Sequence, residues 1–115
     1  MMVQGNEKVY ALMLLGAVDR PMPSYLHLKR ECFILSSITE LPEVDGGRFY
    51  RKSKKDGQLR MTKTGRALFN ELLEKHADKP EFREALTTAA FVRAVYDDMT
   101  AEEISYLESR AKTAL

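Results

Sequence analysis

Cations are concentrated in one short stretch of this sequence, between residues 48 and 66. The whole chain has a net charge of +1, whereas this stretch has eight bases and one acid, a net +7 in nineteen residues. The bases are Arg48, Arg51, Lys52, Lys54, Lys55, Arg60, Lys63 and Arg66. Exposed cations at this density bind phosphates and release the counterions condensed on a polyanion. We therefore expect a polyanionic partner; the alternative is a solvated surface that serves solubility alone.

Little else in the sequence has the residue types and spacing of a catalytic or metal site. His27 and His76 are far apart, and neither has a cysteine or second histidine at ligand spacing. The adjacent acids Asp97-Asp98 and Glu102-Glu103 diverge on a helix and are interpreted as caps and exposed polar side chains. The sequence has no glycine-rich phosphate loop and no nucleophile motif. We expect no enzyme activity, no metal and no cofactor.

Composition is typical of one soluble globular domain, with 115 residues that are 44% hydrophobic and 30% charged. No apolar run approaches the roughly 20 residues of a membrane span, and no run has a signal-peptide pattern. We expect a cytoplasmic protein without a membrane partner. Cys32 is the single cysteine, which excludes an intrachain disulfide. It is interpreted as a buried thiol, with a redox switch beside Lys29 and Arg30 as the alternative.

The segments before the basic stretch have the periodicity of helices. Apolar residues at helical spacing predict a buried first helix over residues 7–19. Two prolines then interrupt the pattern. Ser24 is expected to cap the next helical segment, residues 25–41. That segment is either one helix or two short helices with a turn near Cys32.

The basic stretch itself has the pattern of a β-hairpin followed by a helix. Residues 48–54 and 58–62 predict two strands. Asp56-Gly57 between them favours a tight two-residue turn, in which both positions have positive φ. Thr62 is expected to cap a helix over residues 63–76.

Two further helices are predicted after residue 78. Pro80 fits the first turn of one helix, and Thr100 with Glu103 forms a capping box for the other. Their apolar surface exceeds what docking on one small domain needs, which predicts a homodimer with the dimerisation residues Phe82, Leu86, Phe91, Val95, Tyr96, Ile104 and Leu107. The alternative is a monomer in which both helices fold back and complete the core.

The segment DGGRFYRKSKKDGQLRMTKTGRALFNELLEKH, residues 45–76, resembles the wing and following helix of MarR-type and PadR-type regulators of bacteria and archaea. In those proteins a basic hairpin, the wing, closes with an apolar-Thr-x-x-Gly step into a helix. Residues 61–65, MTKTG, match that step. Gly46-Gly47 corresponds to the end of the preceding recognition helix.

The residues just before those glycines resemble the recognition helix itself. ILSSITEL, residues 34–41, would place Leu35, Ile38 and Leu41 inward and polar residues outward. The interval 20–47 is several residues shorter than the family pattern of second helix, turn and recognition helix. The second helix is therefore expected as a single turn at residues 25–28 or fused to the third.

The resemblance implies a mainly α fold with a small two-stranded hairpin, a winged helix-turn-helix. The winged unit would span residues 7–76 and a C-terminal helical extension residues 78–115, within a single domain of residues 1–115. It also implies a transcription regulator that binds double-stranded DNA. The wing residues on the phosphate backbone would be Arg48, Arg51, Lys52, Lys54, Lys55 and Arg60. The recognition-helix residues in the major groove would be Lys29, Arg30, Ser36, Ser37 and Thr39.

Winged domains also bind proteins, so the alternative function is an interaction module whose basic hairpin meets an acidic partner. An exposed outer face on the recognition helix would favour DNA. The sequence specifies neither an operator nor a small-molecule effector. Serine and threonine are weak base readers beside arginine, which predicts modest or shape-driven specificity.

Overall fold

The computed structural model describes the backbone of residues 4–41 and 48–114, with side chains for residues 8–41 and 48–110. Five helices and two strands occur in these ranges. In chain order they are α1 (Gln4–Ala17), α2 (Tyr25–Ile38), β1 (Tyr50–Lys52), β2 (Leu59–Met61), α3 (Lys63–His76), α4 (Pro80–Tyr96) and α5 (Ala101–Ala114). The expectation of a mainly helical chain with one antiparallel two-stranded hairpin is confirmed.

Helix α1 is the centre of the core. Every side chain from Val9 to Leu15 is buried, at 4% exposure or less. A helix that is apolar on all sides is stable only when other elements surround it. Helices α2, α3 and α4 all contact α1, as does β2. The prediction of a buried first helix is confirmed.

Helix α2 is one continuous helix, which decides between the two alternatives for this segment. The Ser24 side chain caps it by accepting from the amide of His27 at 3.2 Å. The helix ends at Ile38 because Thr39 has extended backbone, with φ −136° and ψ 156°. Leu35 is therefore buried while Ile38 is 61% exposed. The prediction that Ile38 packs inward is wrong, since the helical repeat does not continue beyond it.

Tyr10 of α1 holds the chain that leaves α2. Its hydroxyl donates to the carbonyl of Thr39 at 2.8 Å and accepts from the amide of Leu41 at 3.2 Å. Leu41 is buried at 8% exposure. Residues 34–41 are therefore the last turn of α2 followed by an extended segment, and the prediction of a recognition helix over this range is wrong. Gly46-Gly47 lies outside the described residues.

The hairpin forms where the alternation predicts it, but with a longer turn. Strand β1 pairs with β2 in antiparallel register. The amide of Ser53 donates to Gln58 at 2.9 Å, and the amide of Gly57 donates back to Ser53 at 2.9 Å. Gly57 has φ 74°, whereas no non-glycine residue in the described ranges has positive φ. The two-residue turn is therefore wrong: four residues, 54–57, form the tip, and the Asp56 side chain supports it by accepting from the amide of Gln58 at 3.0 Å.

A third backbone segment fastens the hairpin to the helices. Met22 forms an isolated antiparallel bridge with Leu59, with N···O distances of 2.9 and 2.8 Å. Both side chains are buried, at 0% and 2% exposure. The bridge lies between the two prolines that end α1, so one strand-like residue follows α1 and precedes α2. A single residue pair has no periodicity, so this bridge could not be predicted from the sequence.

Helices α4 and α5 fold back on the rest of the chain. Helix α4 contacts α1 and α2, and α5 contacts α2. Two residues predicted for dimerisation, Phe82 and Ile104, lie in the chain's own core at 5% and 0% exposure. Leu86, Tyr96 and Leu107 are half-buried, which leaves Phe91 and Val95 as the exposed residues of that set, at 67% and 40%. The homodimer itself stays a prediction, which light scattering on the full chain would test.

Candidate nucleic-acid interface

The outer face of the hairpin places two arginines directly opposite each other. Arg51 of β1 pairs with Arg60 of β2, and both side chains are exposed. Residues directly opposite in an antiparallel pair share one face of the sheet, where like charges repel. The guanidinium of Arg60 is 3.3 Å from the Asp56 carboxylate and 3.3 Å from the Gln58 side-chain oxygen. Arg51 has no ion-pair partner among the residues the structure describes, so the repulsion is only partly offset.

The remaining hairpin cations surround this pair. Lys52, Lys54 and Lys55 are exposed, and none of them forms an ion pair within the described ranges. The one acid, Asp56, already bonds the Gln58 amide and Arg60, and those bonds lower the pKa of its carboxyl. It stays ionised at neutral pH but does not neutralise the lysines. The hairpin tip therefore has a high density of positive charge, which the phosphates of a nucleic-acid backbone could neutralise.

The helix after the hairpin is attached by Thr62 and Gly65. The Thr62 hydroxyl donates to the carbonyl of Arg48 at 2.6 Å and accepts from the amide of Gly65 at 3.0 Å, which caps α3 as predicted. A Cβ at position 65 would lie 2.4 Å from the carbonyl oxygen of Phe49. Glycine is needed because the start of α3 approaches the strand backbone too closely for any side chain. This contact explains the Thr-x-x-Gly step physically and fixes the exposed Arg48 at the base of the hairpin.

Helix α2 presents a second exposed surface beside the hairpin. Tyr25, Lys29 and Phe33 are spaced at four-residue intervals along one face, and all three are exposed. The guanidinium carbon of Arg30 lies 5.9 Å from the centre of the Phe33 ring, within cation–π range. We call this surface the α2 stripe, formed by Tyr25, Lys29, Arg30 and Phe33.

A small cleft connects the α2 stripe to the hairpin. Tyr25 and Lys29 line it together with Tyr50 of β1 and Lys8 of α1, and its volume is ≈ 60 Å³. Cys32 also lines this cleft and is buried at 5% exposure, which agrees with the interpretation as a buried thiol. The predicted site residue Lys29 is thus on the same side of the molecule as β1, whereas Arg30 does not line the cleft.

The polar residues predicted to read bases are placed less favourably. Ser36 and Ser37 are exposed, but both hydroxyls donate to the carbonyl of Phe33, at 2.9 and 2.8 Å. Thr39 lies beyond the end of α2, and its carbonyl is bonded to Tyr10. Thr39 is not on a helix face, so its predicted place on a recognition helix is wrong. The exposed part of α2 that lies next to the hairpin is its N-terminal half.

Sequence reasoning missed a buried charge cluster that positions α2 and α4. Arg93 is 0% exposed, and its Nε donates to Asp97 at 2.8 Å. Its two terminal nitrogens donate to the carbonyls of Leu14, Arg20 and Pro21 at 2.9–3.0 Å. The Leu14 carbonyl is one of the last four of α1, which have no partner inside the helix. Arg93 therefore caps α1 from the neighbouring helix.

Glu31 of α2 completes this cluster. It is also 0% exposed, with its carboxylate 3.9 Å from Arg93 Nε. Burial raises the pKa of Glu31 to about 10, assisted by a hydrogen bond to Asp97 and the charge of that residue. Glu31 is therefore protonated at neutral pH and donates to the Asp97 carboxylate. A glutamate beside the α2 stripe thus adds no negative charge to the surface.

The His27 ring makes two structural contacts. Its Nε2 donates to the carbonyl of Met99 at 2.6 Å, and its Nδ1 lies 2.7 Å from the Ser24 hydroxyl. It joins the start of α2 to the turn before α5. Among the described residues, no three histidine, cysteine or acidic side chains are grouped to hold a metal, and no helix is long and apolar enough to cross a bilayer.

Comparison with known proteins identifies no relative. Scans against protein-family models, curated proteins and solved structures each find no match for this chain.

Proposed function

We propose that this chain is a DNA-binding protein of winged-helix type, a transcription regulator whose hairpin binds the phosphate backbone of duplex DNA. The observation that carries the proposal is the exposed Arg51–Arg60 pair, with three lysines around it that have no ion pair to a described residue. A protein that needed only solubility would gain it equally from mixed charges. Keeping like charges opposite each other lowers stability, and a bound phosphate reverses that repulsion.

The order of elements supports a winged-helix assignment. A helix, a strand-like residue at Met22, a second helix, a hairpin and a third helix follow one another, and Met22 pairs with the second hairpin strand. That is the order of a winged unit with a fused second and third helix. In this proposal α2 takes the place of the recognition helix, and its N-terminal half lies next to the wing.

Base reading in this proposal is weaker than backbone binding. The α2 stripe offers Lys29 and Arg30, whereas the hydroxyls of Ser36 and Ser37 are bonded to their own helix. Arginine and lysine read guanine in the major groove. Selection of bound sequences from random duplex DNA is therefore expected to enrich a short motif, with the remaining preference set by DNA shape.

The decisive experiment is the salt dependence of duplex binding. Each phosphate neutralised lowers log K by roughly 0.9 per unit of log salt concentration. Lys54→Ala with Lys55→Ala should weaken binding to all duplexes about equally and flatten that slope by on the order of one to two units. A matched control is Lys75→Ala with Lys79→Ala, which removes the same charge from exposed positions at the end of α3 and the start of α4. The control should change the slope by less than half as much.

Unchanged affinity and slope in the Lys54–Lys55 double variant would contradict the proposal. The basic hairpin would then serve the alternative function, an interaction module for an acidic protein. Pull-down with an acidic peptide library, compared between the same two double variants, would show it.

A further inference from the structure

The α2 stripe combines two features that duplex binding alone does not require. Tyr25 is 49% exposed and Phe33 is 63% exposed. Large aromatic rings lose favourable burial when they face water, and exposed aromatics beside cations are typical of binding surfaces. In a duplex the faces of the bases are covered by their neighbours, and a protein in the groove reaches only base edges. Exposed ring faces therefore suit bases that are not paired.

The charge of the stripe is also one-sided. Lys29 and Arg30 lie between the two rings, and Lys8 lies across the cleft. Helix α2 has a single acid, Glu31, which is buried and protonated at neutral pH. The exposed face thus offers aromatic rings and positive charge without a competing carboxylate. Proteins that bind single-stranded nucleic acid use this combination, with bases on the rings and phosphates on the cations.

We propose that the α2 stripe binds single-stranded DNA that adjoins the duplex held by the hairpin. One base stacks on Phe33, a second stacks on Tyr25, and Lys29 contacts the phosphate between them. Eight residues of helix separate the two aromatic positions by about 12 Å, several times the spacing of about 3.4 Å between stacked bases. The two rings therefore bind separate bases of an extended strand. The guanidinium carbon of the half-buried Arg30 lies 5.9 Å from the centre of the Phe33 ring, a cation–π contact that restricts the ring.

This inference deepens the proposed function and rests on it for the duplex portion of the ligand. The test uses the full chain and three labelled DNAs: a blunt duplex, the same duplex with a single-stranded thymidine tail, and the tail strand alone. Fluorescence anisotropy gives the affinity for each. We expect the tailed duplex to bind more tightly than the blunt duplex.

Phe33→Ala separates the stripe from the hairpin. It should weaken binding of the tailed duplex by about 5- to 150-fold, which corresponds to roughly 1–3 kcal/mol for one stacked base. Blunt-duplex affinity should fall by a smaller factor than tailed-duplex affinity, because the hairpin cations bind the duplex backbone whether or not a tail is present. The matched control is Phe91→Ala, which removes a ring that is 67% exposed on α4. It should leave both affinities unchanged, and circular dichroism confirms that each variant is folded.

A second readout reports stacking itself. The fluorescent base 2-aminopurine, placed in the tail, loses emission when it stacks. The wild type and Phe91→Ala should quench it on binding, whereas Phe33→Ala with Tyr25→Ala should not. Equal affinity of the wild type for tailed and blunt duplexes would overturn the inference and leave the proposed function standing. Binding of the tail strand alone, with no affinity for the blunt duplex, would overturn the proposed function and keep the stripe as a single-strand site.

Discussion

The arginines of the hairpin and the arginine in the helical core are held in opposite ways. Arg93 is 0% exposed and donates to three carbonyls and one carboxylate. Arg51 is exposed, faces Arg60 across the hairpin and has no ion pair with a described residue. One charge is fully compensated inside the chain, and the other is left uncompensated on its surface.

The difference separates a charge that stabilises the fold from charges that, in the proposed function, bind a ligand. A buried ion must have its hydrogen bonds made by the protein, because removing one partner leaves an uncompensated charge at high cost. An exposed ion is hydrated and screened, so the fold gains little from it. A cluster of exposed like charges is then explained best by a ligand of opposite charge. The comparison yields three predictions on the free protein and its DNA affinity.

The largest expected effect is at the buried end of the comparison. Arg93→Met keeps an unbranched side chain but removes the guanidinium, which leaves the carbonyls of Leu14, Arg20 and Pro21 without that donor. We expect a loss of about 3–5 kcal/mol in the free energy of unfolding, measured by urea denaturation with circular dichroism. The same change at Arg51 should cost less than about 0.5 kcal/mol. Similar losses at the two positions would show that burial does not separate their roles.

The second prediction concerns the proton on Glu31. Its pKa is 4.5 ordinarily and about 10 in the folded protein, so between these values the folded chain holds a proton that the unfolded chain releases. Stability attributable to this group is therefore full at pH 4 and falls as pH rises, by up to about 1.4 kcal/mol per unit. The facing groups are Asp97, Arg93 and Arg20, and their charges are part of the same equilibrium.

Glu31→Gln keeps a neutral donor for Asp97 without a group that titrates. Urea denaturation of both proteins between pH 5 and pH 8 isolates the contribution of Glu31 as the difference between their stabilities. We expect the free energy of unfolding of the variant, relative to that of the wild type, to increase steadily as pH rises. At pH 8 the variant should be the more stable protein. A pH-independent difference would mean that Glu31 is ionised in the folded protein.

The elements around the site were predictable because their signals are local. Thr62 caps α3 at the predicted residue, and Thr100 with Glu103 forms the predicted capping box, with bonds of 2.8 and 3.1 Å. Caps and turns depend on residues three or four positions apart, which the sequence displays directly. The prediction of a two-residue turn was wrong because the tip has four residues, in which the Asp56 side chain accepts from the amide of Gln58. The Asp-Gly pair alone does not specify the length of the turn.

The buried cluster was not predictable because its partners are distant in sequence. Arg93 reaches Leu14 across 79 positions, and on the sequence it is indistinguishable from an exposed helix arginine. Glu31 stands beside Lys29 and Arg30, where a charged and solvated face is the natural interpretation. Only the packing of α4 on α1 and α2 brings these groups together. The same packing places Tyr25 and Lys29 beside Tyr50 of β1, which moved the candidate surface from residues 34–41 to the α2 stripe.

The smallest expected effect is at the exposed end, and its sign is the informative part. Arg51→Gln removes one of two like charges that face each other on the hairpin. The free protein should become slightly more stable at low salt, by about 0.2–0.5 kcal/mol, because the repulsion with Arg60 is lost. The gain should disappear near 1 M salt, where charges are screened beyond about 3 Å. Arg66→Gln, an exposed arginine on α3, is the control and should give no gain.

Duplex affinity should fall in Arg51→Gln by several-fold at low salt. These two results together would mean that Arg51 lowers the stability of the free protein and raises its affinity for DNA, as expected of a residue whose role is ligand binding. If Arg51→Gln instead lowers stability and leaves DNA affinity intact, Arg51 belongs with Arg93 as a structural charge, and the contrast between the two regions fails.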